Sequence, residues 1–162
     1  MTPRRRIALV ALILAGSIGL DQVTKRVAAA LLVPGAVHSW LGDSVRLQYA
    51  ENRGAFLSLG AFLPEAARFW VFVVAVGLLL SALLVYALRS ARLQPVEVAG
   101  FACFVGGGLS NWFDRVVRDG RVVDFMNLGI GGLRTGIFNV ADLVLVVGVG
   151  LILARRRQQP SL

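Results

Sequence analysis

Asp142 lies inside an almost wholly apolar stretch, Ile137-Phe-Asn-Val-Ala-Asp-Leu-Val-Leu-Val-Val-Gly-Val-Gly-Leu-Ile-Leu-Ala154, that reads as a membrane-spanning helix. A carboxylate at such depth costs roughly 2.5–3.5 kcal/mol on insertion scales, so it is expected to face a cavity, a partner or a substrate. Asn139, three residues earlier, falls on the same helical face. The blander reading of the two is an interhelical hydrogen bond. The chemical reading is a carboxyl pair. Two carboxyls brought together cannot both ionise, so one keeps a proton and the other accepts one from water. That arrangement hydrolyses a peptide without a covalent intermediate. Three acids are candidates to pair with Asp142: Asp21, Asp114 and Asp124. Asp21 has Lys25 one helical turn away to neutralise it, and Asp114 has Arg115 beside it. Asp124 has no such neighbour on its own strand, which tilts the choice toward it without deciding it.

Other chemistries find less support. The single cysteine, Cys103, excludes an internal disulfide and a cysteine metal site, and its apolar surroundings read as packing. The single histidine, His38, has no second histidine for a metal cluster and reads as a surface residue, so no metal or cofactor is expected. Ser58 and Ser110 lack an obvious base, although a Ser-Lys arrangement with Lys25 is conceivable on residue types.

The elements that must position these groups are membrane helices. The chain has 162 residues, 57% of them hydrophobic, a mean hydropathy of +0.73 and a net charge of +8. It is too apolar for a soluble domain. The basic residues sit at the ends of apolar runs, at Arg4-Arg5-Arg6, Arg89, Arg92 and Arg155-Arg156-Arg157, which points to a bilayer rather than nucleic acid. We expect an all-α membrane protein, one domain over residues 1–162. Four transmembrane helices at about 7–27, 69–88, 95–113 and 137–154 carry a small extracytoplasmic β-element. The outer loops are 28–68 and 114–136. The acid-free basic segments 1–6, 89–94 and 155–162 place both termini in the cytoplasm. The first apolar run resembles a signal peptide core but continues into Asp21, Lys25 and Arg26, so an uncleaved span is favoured. Small residues recur at helix spacing at Ala8, Ala11, Ala15 and Gly19, and at Ala99, Cys103, Gly107 and Ser110, and are read as close-packing stripes. In the outer loops, Val45, Leu47 and Tyr49 alternate with Arg46 and Gln48, and Arg121-Val-Val-Asp124-Phe-Met is a second β-prone run. Trp40 and Trp112 suit the interfacial belt, and the tail 158–162 reads as disordered.

Five segments, in order, resemble the lipoprotein signal peptidase (signal peptidase II) family. They are Asp21-Gln-Val-Thr-Lys25, Asn52-Arg-Gly54-Ala55, Gly107-Gly-Leu-Ser-Asn111-Trp-Phe-Asp114-Arg115, Val123-Asp124-Phe125 and Phe138-Asn139-Val-Ala141-Asp142. The resemblance implies an intramembrane aspartic endopeptidase of the bacterial inner membrane. Its substrates would be diacylglyceryl-modified prolipoproteins, cut before the lipidated cysteine, with globomycin-type lipopeptides as inhibitors. By the same carry-over Asp124 and Asp142 are the catalytic pair. Asn52, Gly54, Asn111, Arg115 and Asn139 would bind substrate or stabilise the oxyanion, and Asp21, Lys25 and Asp114 would support the site. Two departures stand out: Ser110 where the family usually has glycine, and Phe56-Leu57 after Gly54-Ala55. A small proton-coupled transporter or channel is the alternative; it would also want a submerged Asp142, but with a polar path through the bundle. A membrane scaffold without chemistry does not account for Asn139 and Asp142 together.

Overall fold

A computed structural model describes residues 1–54, 60 and 62–156. Ala55, the departure Phe56-Leu57, Ser58, Arg157 and the tail 158–162 lie outside the described residues. The fold is helix-rich with one small antiparallel sheet. In chain order it runs α1 (Pro3–Leu31), β1 (His38–Trp40), β2 (Val45–Asn52), α2 (Glu65–Arg68), a π-helical segment (Phe69–Ala75), α3 (Val76–Arg89), α4 (Pro95–Val117), β3 (Val122–Ile130), β4 (Leu133–Arg134) and α5 (Val140–Arg156). The continuous helical runs Pro3–Leu31 and Glu65–Arg89 are long and apolar enough to cross a membrane.

Helix starts follow local chemistry. Thr2 caps α1 by accepting from the Arg5 N–H at 3.4 Å, with proline in the first turn. Gln94 and Glu97 form a reciprocal capping box around Pro95 at the start of α4. This gives Glu97, the one acid interrupting the third apolar run, a structural task. The fourth helix starts later than its apolar run. Phe138 pairs with Met126 as an isolated antiparallel bridge, and α5 begins only after Asn139.

Packing centres on α4, which meets α1, α3 and α5. The α4–α5 contact is backbone-close: a Cβ on Gly148 would lie 2.7 Å from the Gly100 carbonyl and from the Phe104 amide nitrogen. Gly107, Cys103 and Ser110 of the predicted α4 stripe all sit in these close contacts or are buried. The α1 stripe is a correction. Ala8, Ala11, Ala15 and Gly19 are exposed, and the buried face is Arg6, Val10, Ser17, Asp21, Lys25 and Ala28. Burial of the Asp21–Lys25 pair and Arg6 sets the rotation of α1, so its small residues turn outward. Close approach on α1 occurs instead at Ser17, which faces Gly106. At the opposite end from the acids, Val10, Leu93, Val98 and Ala102 form an apolar cluster. There Arg6 donates to the carbonyls of Ser90 (2.5 Å), Leu93 (3.3 Å) and Leu88 (3.5 Å), tying α1 to the α3–α4 turn. Trp112 is turned inward, its indole N–H donating to the Val73 carbonyl at 2.8 Å in the π-helical segment, whereas Trp40 is half exposed.

The sheet order is β1-β2-β3-β4, antiparallel throughout. The expected β-prone runs are β2 and β3. They pair through Val45↔Leu128 at one end and Ala50↔Asp124 and Asn52↔Val122 at the other, with a register shift between Leu47 and Ala50. Both hairpin tips lie at the first end. The Asp124 end reaches the mouth of the helix bundle.

Candidate active site

Each acid is placed by a different element. Asp124 is carried by β3 opposite Ala50, and Asn52 is its diagonal neighbour on β2. An Asx turn, with the Gly54 N–H donating to Asn52 Oδ1 at 2.9 Å, aims the Asn52 amide so that its Nδ2 donates to Asp124 Oδ2 at 3.0 Å. Asp142 is the third residue of α5. It forms a reciprocal capping box with Asn139: the Asp142 N–H donates to Asn139 Oδ1 at 3.0 Å, and the Asn139 N–H donates to Asp142 Oδ2 at 3.1 Å. The remaining oxygen, Asp142 Oδ1, accepts from Asn111 Nδ2 at 2.9 Å.

Asn139 joins the two acids. Its Nδ2 donates to Asp124 Oδ1 at 2.6 Å while its main chain holds Asp142. The same amide also donates to Asn111 Oδ1 at 3.1 Å. Both carboxyls line one cavity of about 710 Å³, together with Asn52, Asn111 and Arg115 and an apolar wall that includes Phe72, Leu79, Leu80, Phe104 and Val146. Arg115 crosses from α4 to the loop after β2, donating to the Gly54 carbonyl at 2.5 Å and to the Asn111 carbonyl at 3.2 Å, with its guanidinium over the Phe72 ring. Asp124 is buried, and its carboxyl is raised to about 6, first by burial and then by the charge of Asp142.

Behind the cavity is a buried ionic cluster. Lys25 Nζ has three donors and uses all of them: Asp21 Oδ2 at 2.7 Å, Asp114 Oδ2 at 2.8 Å and Asn111 Oδ1 at 2.8 Å. Asp21, Lys25 and Asp114 are fully buried. The lysine fixes which way Asn111 faces, with its oxygen toward Lys25 and its amide toward Asp142. The neutralising partner of Asp114 is therefore Lys25, with Arg118 at 3.7 Å, and not Arg115 as its adjacency suggested. Adjacent helical residues diverge by about 100°, so Arg115 turns to the cavity while Asp114 turns to α1. Among the described residues no Ser-Lys base pair forms. Ser110 Oγ donates to Asp21 Oδ2 at 2.7 Å, and the ammonium of Lys25 is bonded to two carboxylates and an amide oxygen. His38 is exposed and stacks with Trp40.

The structure thus brings Asn52, Gly54, Asn111, Arg115, Asp124, Asn139 and Asp142 to one place, with Asp21, Lys25 and Asp114 beneath. Residue types alone missed three participants. Gln22 donates to Ser110 Oγ and to Asp114 Oδ1, both at 3.0 Å; Phe72 underlies Arg115; and the Ala141 N–H donates to Asp21 Oδ1 at 2.8 Å. Gln22 was signalled only by its place between Asp21 and Lys25. A main-chain donor leaves no side-chain signature.

A family profile described as signal peptidase (SPase) II matches residues 10–156. A lipoprotein signal peptidase of Treponema denticola is 38% identical over 149 residues, covering 86% of both chains. That of Oleidesulfovibrio alaskensis is 34% identical over 145 residues, covering 90% of this chain and 92% of its own. A solved bacterial membrane enzyme structure superposes with a TM-score of 0.80 at 27% identity, covering 96% of this chain and 94% of the other.

Proposed function

The chain belongs to the signal peptidase II family, and on that premise we propose that Asp124 and Asp142 form an aspartic catalytic pair sharing one proton. Family membership makes this a bacterial membrane peptidase that removes signal peptides from lipoproteins. In our reading the four spans are about 7–27, 69–88, 95–113 and 137–154, within one domain. Both termini are cytoplasmic and the acid pair lies near the outer face. The substrates are diacylglyceryl-modified prolipoproteins cut before the lipidated cysteine. The apolar wall of the cavity suits acyl chains, and globomycin-type lipopeptides would compete there.

The observation that carries the aspartic reading is Asn139, which binds one acid through its side chain and the other through its main chain at the edge of a single cavity. The ionised carboxyl takes a proton from water as the water oxygen attacks the scissile carbonyl carbon. The protonated carboxyl gives its proton to the developing oxyanion. When the tetrahedral carbon collapses, the C–N bond breaks, the leaving amine takes one proton from the pair, and one hydroxyl of the intermediate returns its proton to the pair as the carboxyl product forms. The protons belong to the pair rather than to one residue. Arg115, Asn52, Asn111 and Asn139 line or flank the place where the oxyanion forms and position the substrate, and the loop at Gly54 anchors Arg115. A transporter would need a polar path through the bundle; the inner half is instead packed with Val10, Leu93, Val98 and Ala102.

The test is cleavage of a diacylated precursor beside its unlipidated form. Asp124→Asn and Asp142→Asn should each lower kcat by roughly 10²–10⁴-fold while the protein stays folded. Turnover at the wild-type rate by either variant would refute the pair. Equal cleavage of both precursor forms would refute the lipid requirement.

A further inference from the structure

Ser110 is fully buried and does not line the cavity, yet its hydroxyl has a donor–acceptor role on both sides. Oγ donates to Asp21 Oδ2 at 2.7 Å and accepts from Gln22 Nε2 at 3.0 Å. Resting on the aspartic reading above, we infer that Ser110 is a positioning residue that acts through Asp21 on the first turn of α5, and so on Asp142.

The buried charges explain why Asp21 needs this help. One ammonium, Lys25, is shared by two carboxylates, Asp21 and Asp114, and by Asn111 Oδ1. Asp21 is therefore held in a dry site by part of one cation, and the rest of its solvation must come from neutral donors. Among the described residues its neutral donors are the Ser110 hydroxyl on Oδ2 and the Ala141 N–H on Oδ1. The second of these is a helix-start amide with no intrahelical partner of its own. It belongs to the residue immediately before Asp142. Ser110 and Lys25 together fix one oxygen of Asp21, and this leaves the other aimed at α5. Without the hydroxyl, the carboxylate is free to rotate toward Lys25 and release Ala141. The Asp142 carboxyl then loses its registration against Asn111 and Asp124. Small misplacements of a reacting group are costly to rate, while substrate affinity, set by the cavity, is untouched.

Purified Ser110→Ala, assayed on a diacylated precursor, should show kcat lowered ~10-fold with KM unchanged, the size expected for losing one charge-assisted hydrogen bond. Ser110→Cys, nearly isosteric with a weaker donor, should fall between Ser and Ala. It also keeps the question open to test should the alanine variant fail to fold. In an Asp21→Asn background the Ser110→Ala change should lower kcat no further, because the route has already been cut. A wild-type kcat in folded Ser110→Ala or Ser110→Cys overturns the inference. So does an undiminished further drop in the Asp21→Asn background, or a change confined to KM or to thermal stability. Failure of the aspartic reading would show differently, as retained turnover in Asp142→Asn.

Discussion

Asn139 does three jobs with one side chain and one amide: it caps α5, holds Asp142 and holds Asp124. The Asp124 carboxyl is raised because it is buried and faces a second acid, and hydrogen bonds from Asn52 and Asn139 only partly oppose this. The sign of the pH effect follows. With the Asp124 carboxyl raised to about 6, the pair holds its shared proton below that pH and loses it above. Above it both acids are charged and the pair has no proton to give to the oxyanion. The value of kcat/KM, which reports the free enzyme, should therefore decline on the alkaline side with an apparent pKa near 6. It should decline again at low pH, once the second carboxyl is protonated and no base remains. A kcat/KM profile measured in lipid or detergent that is level across the alkaline side would show that the proton held by the pair is not used.

At the scale of elements, the acids meet because α4 and α5 touch through their backbones. Gly107 faces the Ala141 carbonyl and the side chain of Leu145, and a Cβ there would overlap the carbonyl oxygen. Gly107→Ala should push the first turn of α5 away from Asn111. The overpacking costs about 1–3 kcal/mol, and cleavage should fall at least ~10-fold. Thermal unfolding and cleavage rate measured together check this; an alanine variant with both unchanged would mean that α5 is not seated on Gly107. Much of this layer was legible in the sequence. Hydropathy located the four helical units, alternation located β2, and the in-order motifs located the acids. The rotation of α1 was not legible, because small residues at helix spacing mark a possible contact face without saying which face wins. The buried charges Asp21, Lys25 and Arg6 decided it. The start of α5 was hidden too, since Ile137 and Phe138 are as apolar as the helix they precede, but Phe138 is bridged to Met126 of β3 instead. Asp114 paired across the bundle with Lys25 rather than along the chain with Arg115, a tertiary outcome that local adjacency cannot foretell.

The whole molecule has two unlike ends. One gathers the acids, the amides and the sheet; the other is apolar and closed by Arg6 on the carbonyls of Leu88, Ser90 and Leu93. Two of the acid-free basic segments, 1–6 at the start of α1 and 89–94 at the α3–α4 turn, lie at this second end. The proposed orientation, by the positive-inside rule, puts this end in the cytoplasm and the sheet outside. Cys103, the sole cysteine, makes the orientation directly measurable. In a Cys103→Ser background, Gly132→Cys would sit at the exposed β3–β4 tip, where the added side chain meets open space, and Ala91→Cys at the exposed α3–α4 turn. A membrane-impermeant maleimide should label position 132 from outside the cytoplasmic membrane and position 91 only after that membrane is permeabilised. The reverse pattern would place the acid pair on the cytoplasmic face. Equal labelling from one side would bring both ends of the bundle to the same surface and remove the spanning arrangement altogether.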